Sequence, residues 1–187
     1  MTRLGTAKLV ILLSVACLLL VPGSRADDPL IGTKASDWEV TDWIHSQPLT
    51  LKDLAGKVVL IRWWTAPDCP YCAATAPALN EFHEQYKARG LVVLGFYHHK
   101  ARTPLETAKV QRYAESFGFQ FPVAIDRDWK TLRRWWLRDS KRSWTSVSFL
   151  IDRHGVIRTI HPGGEYVRGD RAYQTLKAKI EELLKET

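Results

Sequence analysis

The chain has 187 residues, with 27 lysines and arginines against 20 aspartates and glutamates, for a formal net charge of +7. That length suits one domain with a single sizeable core, and neither an internal repeat nor a low-complexity stretch interrupts it. The basic excess is modest and comes with no nucleic-acid-binding motif, so a nucleic-acid partner is not expected; the cluster Arg133, Arg134, Arg138, Lys141 and Arg142 has Asp126, Asp128 and Asp139 among it and reads as a solvated face.

The first 26 residues carry a short basic start (Arg3, Lys8), an apolar run from Leu9 to Val21 broken only by Ser14, and the small-residue site Ser24-Arg25-Ala26. This is the layout of a secretory signal cleaved after Ala26, and the run is shorter than the roughly 20 residues a membrane-spanning helix needs. Residues 1–26 are expected to leave as a signal peptide and residues 27–187 to form the domain, in a periplasmic or otherwise exported location. Cys17 sits in a distorted lipid-attachment box, Ser14-Val15-Ala16-Cys17, but the apolar run continues past it.

In chain order, Trp38 to Ile44 is predicted as a strand, and Leu51 to Leu54 as a turn before Gly56. Lys57 to Trp64 is apolar except for Arg62, the pattern of a strand covered on both faces. Pro70 to Arg89 is predicted helical and Leu91 to Tyr97 a second buried strand. Pro104 to Phe117 reads as a helix closed by Gly118, Phe121 to Ile125 as a short extended segment, and Trp129 to Leu137 as a helix. Val147 to Ile151 and Val156 to Ile160 form a hairpin through Asp152-Arg153-His154-Gly155, with the glycine where a positive φ is needed. Asp170 to Lys185 closes the chain as an amphipathic helix with Ala172, Leu176, Ile180 and Leu183 on one face. The order implies an α/β sandwich around a mixed sheet.

Beyond the signal only two cysteines remain, in Cys69-Pro70-Tyr71-Cys72. They fall where a buried strand passes into a helix. Backbone N–H groups in a first helical turn lack partners, and with the helix dipole they favour an anion. In such settings a thiol pKa falls from about 8.5 to between about 3.5 and 7.5. Pro70 suits the first helical position, and Cys72 lies one turn on, nearer the core. Cys69 is therefore the expected nucleophile and Cys72 the thiol that resolves a mixed disulfide. Three other readings stay open: a static disulfide, which a four-residue loop would make a weak staple; zinc, which wants four ligands and finds no second cysteine pair; and a metal-binding or metallochaperone module.

The stretch Val58-Val59-Leu60-Ile61-Arg62-Trp63-Trp64, the Cys69-Pro70-Tyr71-Cys72 motif, Pro77, and Phe149-Leu150-Ile151-Asp152-Arg153-His154-Gly155-Val156-Ile157 resemble the thioredoxin fold, and more specifically the exported TlpA/ResA-like thiol-disulfide oxidoreductases of the redoxin family. The resemblance runs from about Ile31 to the end. It implies a mixed central sheet flanked by helices, an N-terminal β-hairpin, an inserted helix after Phe121-Pro122-Val123, and no cofactor beyond the redox-active disulfide Cys69–Cys72. Protein or small-thiol substrates, a membrane electron donor or acceptor, and a monomeric chain are expected. A peroxiredoxin-like peroxidase on the same scaffold is the alternative enzyme; those carry a threonine three residues before the reactive cysteine, and Thr65 is four before.

The departures are specific. The acid often found three residues after the second cysteine is Thr75. A buried acid or asparagine of the preceding strand appears as Arg62, which either sits behind the cysteines and favours the thiolate or pairs with an acid past the sheet edge. The cis-proline beside the cysteines corresponds to Ser146, where a trans bond is expected because a cis bond before a non-proline residue costs about 3 kcal/mol; that leaves the dithiol more open to metal or bulky partners. Asp68 is expected to cap the helix. Trp63 and Trp64 read as core, with Trp64, at the strand end, also counted with Pro67, Trp144 and Tyr71 in an aromatic substrate rim. Trp135 and Trp136 are neighbours on a helix, so one should be exposed. His98 and His99 read as exposed loop residues.

Overall fold

The computed structural model describes residues 28–139 and 141–186; the expected signal peptide and its cleavage site lie outside them. Six strands form one sheet, in the order β1 (Asp42–Ile44), β4 (Val123–Ile125), β3 (Leu91–Tyr97), β2 (Val58–Trp64), β5 (Ser148–Ile151), β6 (Ile157–His161). β2 (Val58–Trp64) is central, and all seven of its side chains are buried, as its near-continuous apolar run requires of a strand covered on both faces. It pairs parallel with β3 (Leu91–Tyr97), which pairs parallel with β4 (Val123–Ile125). On its other side it pairs antiparallel with β5 (Ser148–Ile151), which turns into β6 (Ile157–His161).

The alternation along β2 sorts two cores. Val58, Leu60 and Trp64 face a cluster closed by α1 (Pro70–Tyr86), α2 (Thr107–Ser116) and α4 (Arg171–Leu183). Val59, Ile61 and Trp63 face a second cluster with Trp38, Leu54, Trp135, Trp136 and Phe149. In β3, Gly95 lets the indole of Trp64 lie against the strand: a Cβ there would come within 2.9 Å of Trp64 Nε1. The β5–β6 turn forms as expected, with Gly155 at φ 75° and Asp152 accepting from the N–H groups of His154 and Val156 at 2.9 Å each. No helix among the described residues is long and apolar enough to cross a membrane.

Three expectations are corrected. The N-terminal hairpin is not found among the described residues: β1 (Asp42–Ile44) is three residues long and pairs antiparallel with β4 at the sheet edge, while residues 51–56 are turns. Trp38 leaves the strand path to enter the core, donating Nε1–H to Leu49 O at 2.6 Å, and His45 turns the chain with φ 64°. Trp135 and Trp136 are both buried, at 5% and 4% exposure. The helix α3 (Lys130–Leu132) widens into a π-helical turn over Arg133–Leu137. Trp135 enters the core against Trp63 and Phe149, and the loop after the helix covers Trp136, with Arg142 over its ring at 4.2 Å and Trp144 O accepting from its Nε1 at 2.8 Å.

Candidate active site

The carboxyl-terminal ends of β2 and β3 meet the start of α1, and the two cysteines sit there. Cys69 is the N-cap of α1, with extended backbone (φ −78°, ψ 107°), and Pro70 takes the first helical position. Cys69 Sγ accepts from the N–H of Cys72 at 3.3 Å, and no acidic residue lies in the first turn. The sulfur thus does what an oxygen does at an ordinary N-cap: it receives an unpaired helical N–H at the positive end of the dipole. Asp68, expected to cap the helix, instead lies one residue outside the cap, exposed. Cys69 and Cys72 are joined as a disulfide, with Cα atoms 5.3 Å apart. Cys69 is half-buried and Cys72 is 3% exposed, so an incoming sulfur has easier access to residue 69.

Behind the helix lies Arg62, 0% exposed. Its Nη2 donates to Gly164 O at 2.6 Å and to Thr75 Oγ1 at 3.4 Å, and its Nη1 donates to Ser148 Oγ at 3.4 Å. The guanidinium carbon lies 5.3 Å from the centre of the Tyr166 ring. No ion pair to Arg62 occurs among the described residues. Burial lowers its pKa, yet a guanidinium does not lose its proton in proteins. Of the two readings of Arg62, pairing with an acid beyond the sheet edge finds no support. The positive charge sits behind the first turns of α1, touching Thr75, the residue one turn after Cys72. Sequence reasoning missed the loop after β6, whose Gly164 and Tyr166 complete this cradle.

Ser146 is buried at 6% exposure and accepts from Gly164 N–H at 3.3 Å; there is no cis peptide bond among the described residues. The rim forms in part. Tyr71 and Trp144 are exposed at 38% and 51% and meet edge to face with ring centres 5.3 Å apart. Trp144 packs so closely on Gly163 that a Cβ there would fall 2.4 Å from Trp144 Cβ. Pro67 is exposed nearby in sequence. Trp64 is corrected out of the rim: at 1% exposure it lies in the core among Tyr97, Phe117 and Phe119.

A cavity of about 150 Å³ joins these parts, lined by Cys69, Cys72, Thr65, Tyr71, Trp144 and Ser146, among others. It also exposes a wall that the sequence reading misplaced. His98, expected in an open loop, is 1% exposed and lines the cavity, because its N–H donates to Trp64 O at 3.0 Å and so prolongs the β2–β3 pairing. Its place directly after a buried parallel strand, beside the strand leading to the cysteines, was the available signal. His99 is partly buried and engaged, with Nδ1 3.0 Å from Tyr97 Oη and Nε2 2.6 Å from Thr103 O. A larger cleft of about 520 Å³ lies at the opposite end of β2, lined by Lys34, Leu51 and Arg153, and holds no cysteine. Among the described residues no group of three or more histidine, cysteine or acidic side chains is placed to hold a metal.

Residues 31–160 match the model of the AhpC/TSA family. The chain is 30% identical over 154 residues to a thiol-disulfide oxidoreductase ResA from Bacillus cereus, covering 79% of this chain and 82% of that one. It is 32% identical over 131 residues to the protein DipZ of Mycobacterium tuberculosis, of which it spans 18% of the length and 68% of its own. A crystal structure of a thioredoxin-like superfamily protein superposes with a TM-score of 0.66 at 27% identity, covering 82% of this chain and 97% of that one. The architecture is thioredoxin-like.

Proposed function

The chain belongs to the AhpC/TSA family, among its ResA-like thiol-disulfide oxidoreductases, and from that premise we propose that it is an exported enzyme that reduces or exchanges disulfides of protein or small-thiol substrates through Cys69. The observation that carries this reading is a cysteine pair split by exposure: one sulfur at a helix cap and reachable, the other buried one turn behind it. In the reduced protein the Cys69 thiolate attacks a substrate disulfide, forming the Cys69–substrate bond and expelling one substrate sulfur. Cys72 then attacks Cys69, forms the internal disulfide and releases the second sulfur. Two electrons pass from the dithiol to the substrate, and the reverse sequence oxidises a substrate dithiol.

The cap donor and the helix dipole favour the Cys69 thiolate, and the Arg62 charge adds to them. Tyr71 and Trp144 offer an aromatic face suited to a polypeptide substrate. Export rests on the signal pattern of residues 1–26, with residues 27–187 as the mature monomer and a membrane electron donor or acceptor as its partner. Reduction of insulin by the mature protein tests the activity. Wild type should be active and Cys69→Ser should fall to the uncatalysed background, whereas Cys72→Ser should accumulate a mixed disulfide. Consumption of hydroperoxide without thiol exchange would instead select the peroxidase. Sequencing the amino terminus of the exported protein tests cleavage after Ala26.

A further inference from the structure

Around the disulfide several buried polar side chains find partners, while Trp64 Nε1, Arg62 Nε and the ring of His98 do not; of these only His98 lines the cavity beside the cysteines. Ser146, Thr75 and Ser148 are all hydrogen-bonded, and Arg62 has three acceptors. His98 has none: it is 1% exposed, and neither Nδ1 nor Nε2 has a hydrogen-bond partner. A neutral imidazole carries one donor and one acceptor, and a buried polar group left unpaired calls for an explanation: strain, a catalytic role or a bound water. The residue that holds the ring is itself strained. Trp129 stands edge-on to His98 with centres 5.0 Å apart, adopts the left-handed φ of 60°, and is tied by Nε1–H to His99 O at 2.9 Å. Such backbone strain in a non-glycine residue clusters at functional sites.

The cavity shared by His98, Cys69 and Cys72 has no carboxylate in its lining; Lys100 is its one other charged group. The buried Cys72 must lose a proton before it can attack. Thr75, one turn along the helix, has a hydroxyl already engaged by Arg62 and the Tyr166 N–H and is no base. We propose that His98 is the proton acceptor of the resolving step, taking the thiol proton of Cys72 directly or through one water in the cavity.

This deepens the exchange reading above and rests on it. With Cys69 Sγ bonded to a substrate sulfur, Cys72 Sγ–H passes its proton to a ring nitrogen of His98. The freed electron pair forms the Cys69–Cys72 bond, the bond from Cys69 to the substrate breaks, and the substrate sulfur leaves as a thiolate. That thiolate is protonated by the imidazolium or by solvent. In the disulfide state burial, then the Lys100 and Arg62 charges, push the His98 pKa down to about 3, with the nearby Trp64 carbonyl acting in the opposite sense. With both sulfurs joined, neither cysteine carries a charge. A thiolate there acts in the opposite sense, so imidazolium and thiolate exist together, as a coupled pair.

The test isolates resolution from attack. Cys69 is loaded with a thionitrobenzoate mixed disulfide at low pH, and its release is followed after a jump to higher pH in wild type and in His98→Asn. Near pH 6.5 an unassisted thiol of pKa about 8.5 is ionised about one part in a hundred, so release should slow by up to about a hundredfold. The deficit should vanish above about pH 9, where Cys72 ionises unaided, while alkylation of Cys69 in the reduced protein keeps its wild-type rate. Equal release at all pH values, or a loss independent of pH, would overturn the proposal. Should the variant not fold, the His98 ring in wild type is followed by NMR. Its titration midpoint should rise on reduction of the disulfide, and a midpoint unmoved by reduction would overturn it. Failure of Cys69 to form the mixed disulfide at all would sink the exchange reading and this one together.

Discussion

Asp126 and His98 follow the adjacent parallel strands β4 and β3 at the same end of the sheet, and each is 1% exposed. Asp126 is surrounded by donors. It accepts from the N–H groups of Thr131 and Leu132 at 3.1 and 2.7 Å and from Trp63 Nε1 at 3.3 Å. Its charge lies on the first turn of α3, where the helix dipole welcomes it, although burial still raises its pKa. His98, one strand away, receives nothing. The same contrast divides Asp152, bonded to two turn N–H groups and to Arg158, from Arg62, a buried cation with no carboxylate. Asp126 and Asp152 are partnered and fasten the turns they cap, whereas the ring of His98 is left without partners in the cavity beside the cysteines.

Breaking the fastened side should show in stability first. Asp126→Ala strands three buried donors and should lower the folding free energy by about 3 kcal/mol, read by urea titration, with thiol exchange per folded molecule unchanged. A loss of exchange at full stability would erase the distinction between the two residues.

Acid should expose the other side. His98 and His161 have pKa values pushed down to about 3 and about 4, chiefly by burial. A lowered histidine contributes full stability above its unfolded value of about 6.5, and that contribution shrinks as pH falls toward the folded value. Folding free energy should therefore decline between about pH 6.5 and pH 4 by roughly 1 kcal/mol per pH unit, with screening trimming the His161 share. Burial pushes Asp152 up, but the Val156 and His154 N–H groups and Arg158 outweigh it and hold its carboxyl below the usual range. Its contribution is present above about pH 3.9 and is lost only below that. A flat profile from pH 6.5 to 4.5 would contradict the buried neutral imidazoles.

Arg62→Met sharpens the comparison further. Exchanging an unpaired buried charge for an apolar side chain should leave stability within about 1 kcal/mol or raise it. The same change should raise the Cys69 thiol pKa by about one unit, measured by thiolate absorbance. A large drop in stability with an unmoved thiol would make Arg62 a fastener after all. The smallest effect should come from Trp144→Ala. It should raise KM for a protein disulfide by roughly threefold to tenfold and leave reduction of a small disulfide untouched.

Much of this was legible before the structure. The all-apolar run of β2, the Gly155 turn and the face of α4 bearing Leu176, Ile180 and Leu183 rest on local periodicity, and each forms within a residue or two of expectation. The cysteine pair declared itself by spacing. The misplacements share one cause: they depend on tertiary contacts or backbone irregularities that local periodicity does not report. Trp64 looked able to line a rim until β3 set Gly95 under its indole. Trp135 and Trp136 could not both be placed inside by α-helical spacing, and a π-helical turn with a covering loop was needed. His98 looked like loop because its burial comes from Trp64 O and Trp129, residues far from it in sequence. The cradle of Arg62 depends on Gly164 and Tyr166, about a hundred residues downstream.

The central claim is that Cys69, at the cap of α1, is the ionised and reachable sulfur near neutral pH. Reduced protein treated with iodoacetamide across a pH series, with the adduct located by mass spectrometry, tests it directly. A midpoint below about pH 7.5 with the label on Cys69 and Cys72 unmodified is the predicted result. A midpoint near that of free cysteine, about 8.5, or labelling that starts at Cys72, would contradict it.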